Sequence, residues 1–269
     1  MYRKSLSFPY FLWAAAFIII PLLFIVYYGL TDRSGAFTLD NLVAIATAEH
    51  SKALFLSLGL SLLSTAICLL LAYPLALILS GSRLGKSGFV IFLFVLPMWM
   101  NFLLRTLAWQ TLLEKTGVIN SILQALHLPS LNIINTPAAI ILGMVYNFLP
   151  FMVLPIYNVL VKIDPNVINA ARDLGANSLQ TFVKITLPLS IPGVISGITM
   201  VFVPALTTFV ISKILGGSKI LLIGNVIEQE FTQTGNWHLG SGLSIVLMLF
   251  IIFNMVISAV TDRDMETGK

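Results

Sequence analysis

All eleven Asp and Glu residues of this 269-residue chain, and all three histidines, fall outside six long apolar stretches. The stretches are roughly Tyr10–Leu30, Leu54–Ser80, Phe89–Trp109, Pro137–Val161, Leu189–Ser212 and Leu239–Val260. Of the fifteen Lys and Arg residues only Arg105 lies inside one. A helix needs about 20 mainly apolar residues to cross the hydrocarbon core of a bilayer, and each stretch reaches that length. Barrel strands are about 10 residues long and alternate in polarity, which these unbroken runs do not. The segregation predicts an all-α integral membrane protein with six transmembrane helices. Only 10 % of the residues are charged, less than half the share of about 25 % in a soluble domain. The net charge of +4 is not gathered into a patch, which excludes nucleic acid as the partner and leaves membrane lipid.

Loop cations set the orientation of such a bundle. Arg3, Lys4, Arg83, Lys86, Lys162, Arg172, Lys184, Arg263 and Lys269 share one side, so both termini are expected in the cytoplasm. The first stretch is long and ends in Tyr27-Tyr28-Gly29-Leu30 rather than a small-residue cleavage site, which reads as an uncleaved helix. The organisation expected is a first helix and external loop over 1–53, a five-helix core over 54–260, and a cytoplasmic tail over 261–269. Arg105 lies near the outer end of the third stretch, where a long side chain can snorkel to the interface. Lining a pathway is its other reading. Prolines at 21, 74, 97, 150, 155, 192 and 204 should kink the helices. Gly193-x-x-x-Gly197 is a spacing that lets another helix approach closely.

Catalytic chemistry is missing. Gly81-Ser-Arg-Leu-Gly85-Lys86-Ser87 has three residues between its glycines where a phosphate loop needs four, so it reads as a basic turn. Cys68 sits among leucines as a small packing residue. His50, His127 and His238 are scattered over separate loops, and Glu228 with Glu230 reads as a solvated face. No enzyme activity, metal or cofactor is expected. Ion-coupled transporters usually carry an ionisable residue at mid-membrane, and only Arg105 lies in any stretch. An energy source must therefore come from another chain or, on the weaker reading, from an ion gradient.

The segment 162–188 carries most information. Asp164 before Pro165 is a good helix start, and Gly175 is a left-handed stop. Val167, Ile168, Ala171 and Leu174 share one helical face. Asn177 with Gln180 suggests a second start of the capping-box type. Leu179, Phe182 and Val183 form another apolar face, and Pro188 is expected to close the segment. This is a glycine-hinged elbow whose short helices are marginal in isolation.

Asn169-Ala170-Ala171-Arg172-Asp173-Leu174-Gly175, followed by Phe182-x-x-Ile185-x-Leu187-Pro188, resembles the "EAA" loop of type I ABC importer permeases. The family's leading glutamate is Asn169 here. The resemblance implies that Asn169, Ala170, Ala171, Arg172, Asp173 and Gly175 belong to a coupling helix seated in a cleft of a cytosolic ABC ATPase dimer. Leu149-Pro150-Phe151 through Tyr157, Gly216-Gly217 through Asn225, and Val95-Leu96-Pro97 through Asn101 are similar to the PotB-type permease subunits of spermidine/putrescine importers. That likeness implies a second, different permease subunit, an extracytoplasmic polyamine-binding protein and a place in the bacterial cytoplasmic membrane. A permease for another small organic solute is the alternative. Aromatic faces and neutral oxygens can hold ammonium groups, at about 0.5–2 kcal/mol per cation–π contact. Trp99, Asn101, Tyr146, Asn147, Tyr157, Thr208 and Phe209 are the candidate pathway residues, with Thr207 beside them.

Overall fold

A computed structural model describes residues 8–82, 92 and 95–266. Among them helices dominate, and the β pairing is a single isolated bridge, Thr31 to Phe37. Helix α1 (Phe8–Ala14), a π turn at Ala15–Ile19 and α2 (Ile20–Gly29) form one rod. A short helix α3 (Asp40–Val43) leads to the long α4 (Ala48–Gly81). Five described helices are long and apolar enough to cross a membrane: Leu12–Gly29, Ala48–Gly81, Pro137–Leu160, Ser178–Thr207 and Trp237–Ser258.

The expected third span differs. Its part over residues 89–91, 93 and 94 lies outside the described residues. The rest is not an unbroken helix, because a 3₁₀ turn at Leu96–Trp99 ends at Met100 and a new helix, α5 (Phe102–Leu113), begins after Asn101. Pro97 lacks the donor that would continue a helix. Asn101 restarts it, its Oδ1 accepting from the backbone N–H of Leu103 at 2.8 Å and Leu104 at 3.3 Å.

Beyond the small helix α6 (Val118–Ala125) comes α7 (Pro137–Leu160), then α8 (Pro165–Asp173). The expected fifth span is displaced towards α8. Helix α9 (Ser178–Thr181), a π turn at Phe182–Thr186 and α10 (Leu187–Thr207) run on without a stop. Pro188 therefore does not close the segment. The π turn widens the helix just before it and relieves the ring's clash with the preceding turn. The span ends at Thr207 rather than Ser212, and Ser212 lies in a separate short helix, α11 (Val210–Leu215). Helix α12 (Ile223–Thr232) precedes α13 (Trp237–Glu266), which runs past Val260 into the expected tail.

The core is the trio α4, α7 and α10. Helix α4 turns a stripe of small buried residues to its neighbours: Ala53, Ser57, Ser61, Ser64, Cys68, Ala72 and Ala76. Its hydroxyls bond back to the helix, Ser57 Oγ to Ala53 O at 2.8 Å and Thr65 Oγ1 to Ser61 O at 2.7 Å, so these hydroxyls are satisfied where the helices pack. A Cβ on Gly193 would stand 2.9 Å from Pro155 O, and one on Gly197 2.7 Å from Met152 Sδ. The Gly193-x-x-x-Gly197 spacing thus brings α10 into backbone contact with α7.

Candidate functional site

The elbow is built by local rules. Asp164 caps α8 by accepting from Asn166 N–H at 2.9 Å, with Pro165 as first helical residue. At the other end Gly175 adopts φ +84°, its N–H donates to Arg172 O at 2.9 Å, and Ala176 N–H donates to Ala171 O at 3.0 Å. These two bonds are a Schellman stop, whose left-handed residue favours glycine. Two residues on, Asn177 N–H donates to Gln180 Oε1 at 2.9 Å and Gln180 N–H to Asn177 Oδ1 at 2.8 Å, a full capping box.

The corner turns apolar side chains outward. Leu174 is 89 % and Leu179 70 % exposed, and Val167 and Val183 are also exposed. Asn169, Ala170, Arg172 and Asp173 are exposed, while Ala171 is buried. Behind the elbow lies a cavity of about 420 Å³ lined by Arg172, Ile168, Thr181, Phe182 and the ends of α4 and α7. Phe182 meets Tyr73 of α4 edge to face at 5.9 Å. Ser190 Oγ donates to Leu187 O, so the Tyr73 hydroxyl donates to Ser190 Oγ, at 2.7 Å. The π turn is thereby tied to α4.

The pathway candidates do not converge on one cavity. Trp99 is 75 % exposed and stands edge to face with Phe92 at 5.8 Å. Asn101 is spent as the cap of α5. Tyr146 meets Trp109 at 5.3 Å beside an apolar cavity of about 490 Å³. Asn147 and Tyr157 are buried in the chain's own core. Asn147 Nδ2 donates to Gly143 O at 2.8 Å, and its buried Oδ1 has no partner. Thr207 and Phe209 border a separate cavity of about 510 Å³ against α12 and α13, and Thr208 is buried at the helix break.

Arg105 is largely buried. Because Asn101 restarts the helix, Arg105 lies in the second turn of α5, which packs on α11 and α7, and it is 8 % exposed with an unpartnered Nε. The side chain is turned into the bundle, where buried polar groups ordinarily have partners.

Sequence reasoning missed a polar knot at the end of α10 far from the elbow. Asn225 Oδ1 accepts from Ser212 Oγ and from Leu222 N–H, and its Nδ2 donates to Phe209 O at 2.9 Å. Ile223 N–H donates to Ser57 Oγ at 2.8 Å, a bond across 166 positions. A Cβ on Gly224 would lie 2.7 Å from Thr207 O. The run from Gly216 to Asn225 is thus the clasp that closes the broken helix onto α4. Its one legible sign was a buried-type Asn in an otherwise apolar run.

Residues 3–265 match the family described as binding-protein-dependent transport system inner membrane component. The chain belongs to that family. It is 38 % identical over 254 residues to the spermidine/putrescine transport system permease protein PotB of Haemophilus influenzae, covering 90 % of this chain and 89 % of that one. Among solved structures it resembles a bacterial ABC transporter involved in import of the acidic polysaccharide alginate, with TM-score 0.79, 18 % identity, and coverage of 95 % and 94 %. It also resembles a bacterial alginate ABC transporter in complex with an alginate pentasaccharide-bound periplasmic protein, with TM-score 0.75, 16 % identity, and coverage of 95 % and 91 %. The fold is that of an ABC importer permease, and the chain is a multi-pass inner-membrane transport subunit.

Proposed function

We propose that this chain is the PotB-type permease subunit of an ATP-driven importer of polyamines, spermidine and putrescine among them. The observation that carries the reading is the 38 % identity to a PotB permease over 90 % of the chain. The elbow supports it, since a rigid corner with Leu174 and Leu179 exposed offers apolar contacts to a docked protein.

On this reading the chain is non-catalytic, and a PotA-type ATPase dimer hydrolyses ATP. A PotC-type permease forms the other half of the route, and a PotD-type binding protein delivers the substrate from outside. Both termini are cytoplasmic, the first helix and loop occupy 1–53, the permease core 54–260 and the tail 261–269. Asn169, Ala170, Ala171, Arg172, Asp173 and Gly175 form the coupling surface, and closure of the ATPases pulls on it to alternate access. Trp99, Asn101, Tyr146, Asn147, Tyr157, Thr208 and Phe209 are the residues proposed for the route. Weak cation–π contacts there suit release, while the binding protein provides capture.

Uptake of labelled spermidine by cells lacking their own importer tests this reading. Expression of the whole assembly should restore uptake, and omission of this chain should abolish it. Restored uptake of another solute, with none of spermidine or putrescine, would contradict the substrate class.

A further inference from the structure

A further cavity, where α2 meets the start of α13, plays no part in the transport reading. It encloses about 510 Å³ and is lined by Phe24 and Tyr28 of the rod, by Arg33, and by Asn236, Trp237 and His238. Its rings are linked: Tyr28 lies 5.3 Å from His238, edge on, 6.2 Å from Trp237 and 6.4 Å from Phe24. His238 is fixed in place because Nδ1 stands 3.0 Å from Tyr28 O and 2.6 Å from Thr31 O. Carbonyl oxygens only accept, so the proton is on Nδ1.

Arg33 is the cation of this cavity and makes no ion pair among the described residues. Its neighbour Asp32 is committed elsewhere: Oδ1 accepts from Ser34 Oγ at 2.6 Å, Ser34 N–H at 2.8 Å and Ala36 N–H at 2.9 Å. Those bonds, the Ser34 hydroxyl foremost, hold the Asp32 carboxyl below its usual range. The cavity sits where the apolar rod ends. Phe24 and Tyr27 are more than half exposed, and Asp32, Arg33 and Ser34 follow within a few residues. That is the level of a membrane–water interface.

We propose that this cavity binds the headgroup of a zwitterionic phospholipid, its phosphate on Arg33 and its ammonium against the rings of Tyr28 and Trp237. A guanidinium presents paired donors to phosphate oxygens, and aromatic faces attract an ammonium within about 6 Å. Both features together select the ligand. A bare polyamine would meet Arg33 as a like charge, and a purely anionic headgroup would leave the rings unused. Such a lipid bridges the rod to α13, the helix against which α2 packs.

The test is thermal unfolding of the purified full chain in mild detergent, titrated with phosphatidylethanolamine, phosphatidylglycerol or diacylglycerol. Glycerophosphoethanolamine and inorganic phosphate are run in parallel. Phosphatidylethanolamine should raise the midpoint saturably and more than phosphatidylglycerol, with no shift from diacylglycerol or the soluble phosphates. Arg33→Gln and Trp237→Leu should each raise the half-saturating lipid concentration about tenfold. Arg33 lies on an exposed turn, so its variant reads binding even if Trp237→Leu fails to fold. Equal shifts from all three lipids, or an undiminished shift in Arg33→Gln, would overturn the site. A shift of the same size from glycerophosphoethanolamine would overturn its assignment to lipid.

Discussion

The two ends of the span Ser178–Thr207 are finished in opposite ways. At the Thr207 end the chain folds back and locks itself: Asn225 satisfies Ser212, Leu222 and Phe209 in a buried knot, and Ser57 reaches across from α4. At the Ser178 end the same span leads out to a corner whose bonds are all local, with Leu174 89 % exposed. A buried, mutually satisfied knot is what a chain makes for its own stability. A stiff, self-capped corner that leaves leucines uncovered fits the proposed contact with an ATPase. On the proposed reading, the difference separates residues that hold the fold from residues that couple it to the ATPase.

Substitutions at each end can break that comparison. Asn225→Leu has the largest expected effect, because it removes three hydrogen bonds and strands the buried Leu222 N–H, while Ser212 Oγ and Lys213 N–H still satisfy the Phe209 carbonyl. At about 1–3 kcal/mol for the buried unpaired donor and about 0.5–1.5 kcal/mol for each other lost bond, the chain should lose roughly 3 kcal/mol. A thermal midpoint in detergent equal to that of the parent would show that the knot does not hold the fold. Gly193→Val comes next, since its Cβ would press on the Pro155 carbonyl and on Ile156 Cα at 3.1 Å. Overpacking of this kind costs about 1–3 kcal/mol, again read as a lowered midpoint.

At the elbow the expectation reverses. Gly175→Val forces a left-handed β-branched residue, at roughly 1–2 kcal/mol, yet a Cβ there meets nothing within 4 Å. The bundle should stay folded while ATP hydrolysis by the assembly loses its dependence on substrate. Smallest in stability is Leu174→Ser with Leu179→Ser, within about 0.5 kcal/mol for exposed positions. This double variant should no longer retain the ATPase on purification, and retention at parental yield would remove the elbow's leucines from the contact.

The elbow was legible because its signals are local. Asp164-Pro165, Gly175 and the Asn177–Gln180 pair each act within four residues, and each appears where the sequence places it. Helix length was legible for α7, whose apolar run has clear ends, whereas α4 begins at Ala48, six residues before the expected Leu54. Hydropathy could not tell lipid-facing from core-facing spans. The windows in Leu12–Gly29 and Pro137–Leu160 have mean hydropathies of 2.2 and 2.0, yet 6 % of the first is buried within the chain against 56 % of the second. Small residues such as Gly143, together with Asn147 and Pro150, mark the buried one.

What was illegible depends on partners far away in sequence. The π turn that carries the helix through Pro188 rests on Tyr73. The knot needs Ser57, and the burial of Arg105 needs α11 and α7 beside it. No window of a single stretch contains those pairings. The seven pathway residues show the same boundary: residue type suggested ammonium chemistry, but packing distributes them over an exposed surface, a cap, two separate cavities and the core.

Disulfide trapping reads the elbow's role most directly. Cys68, the chain's one cysteine, is fully buried, so Leu174→Cys in a Cys68→Ala background carries a single accessible thiol. In membranes containing the complete importer, that thiol should cross-link to a cysteine placed in the ATPase subunit. Labelling of Leu174→Cys by a membrane-impermeant maleimide added to intact cells, with no cross-link formed, would contradict the account.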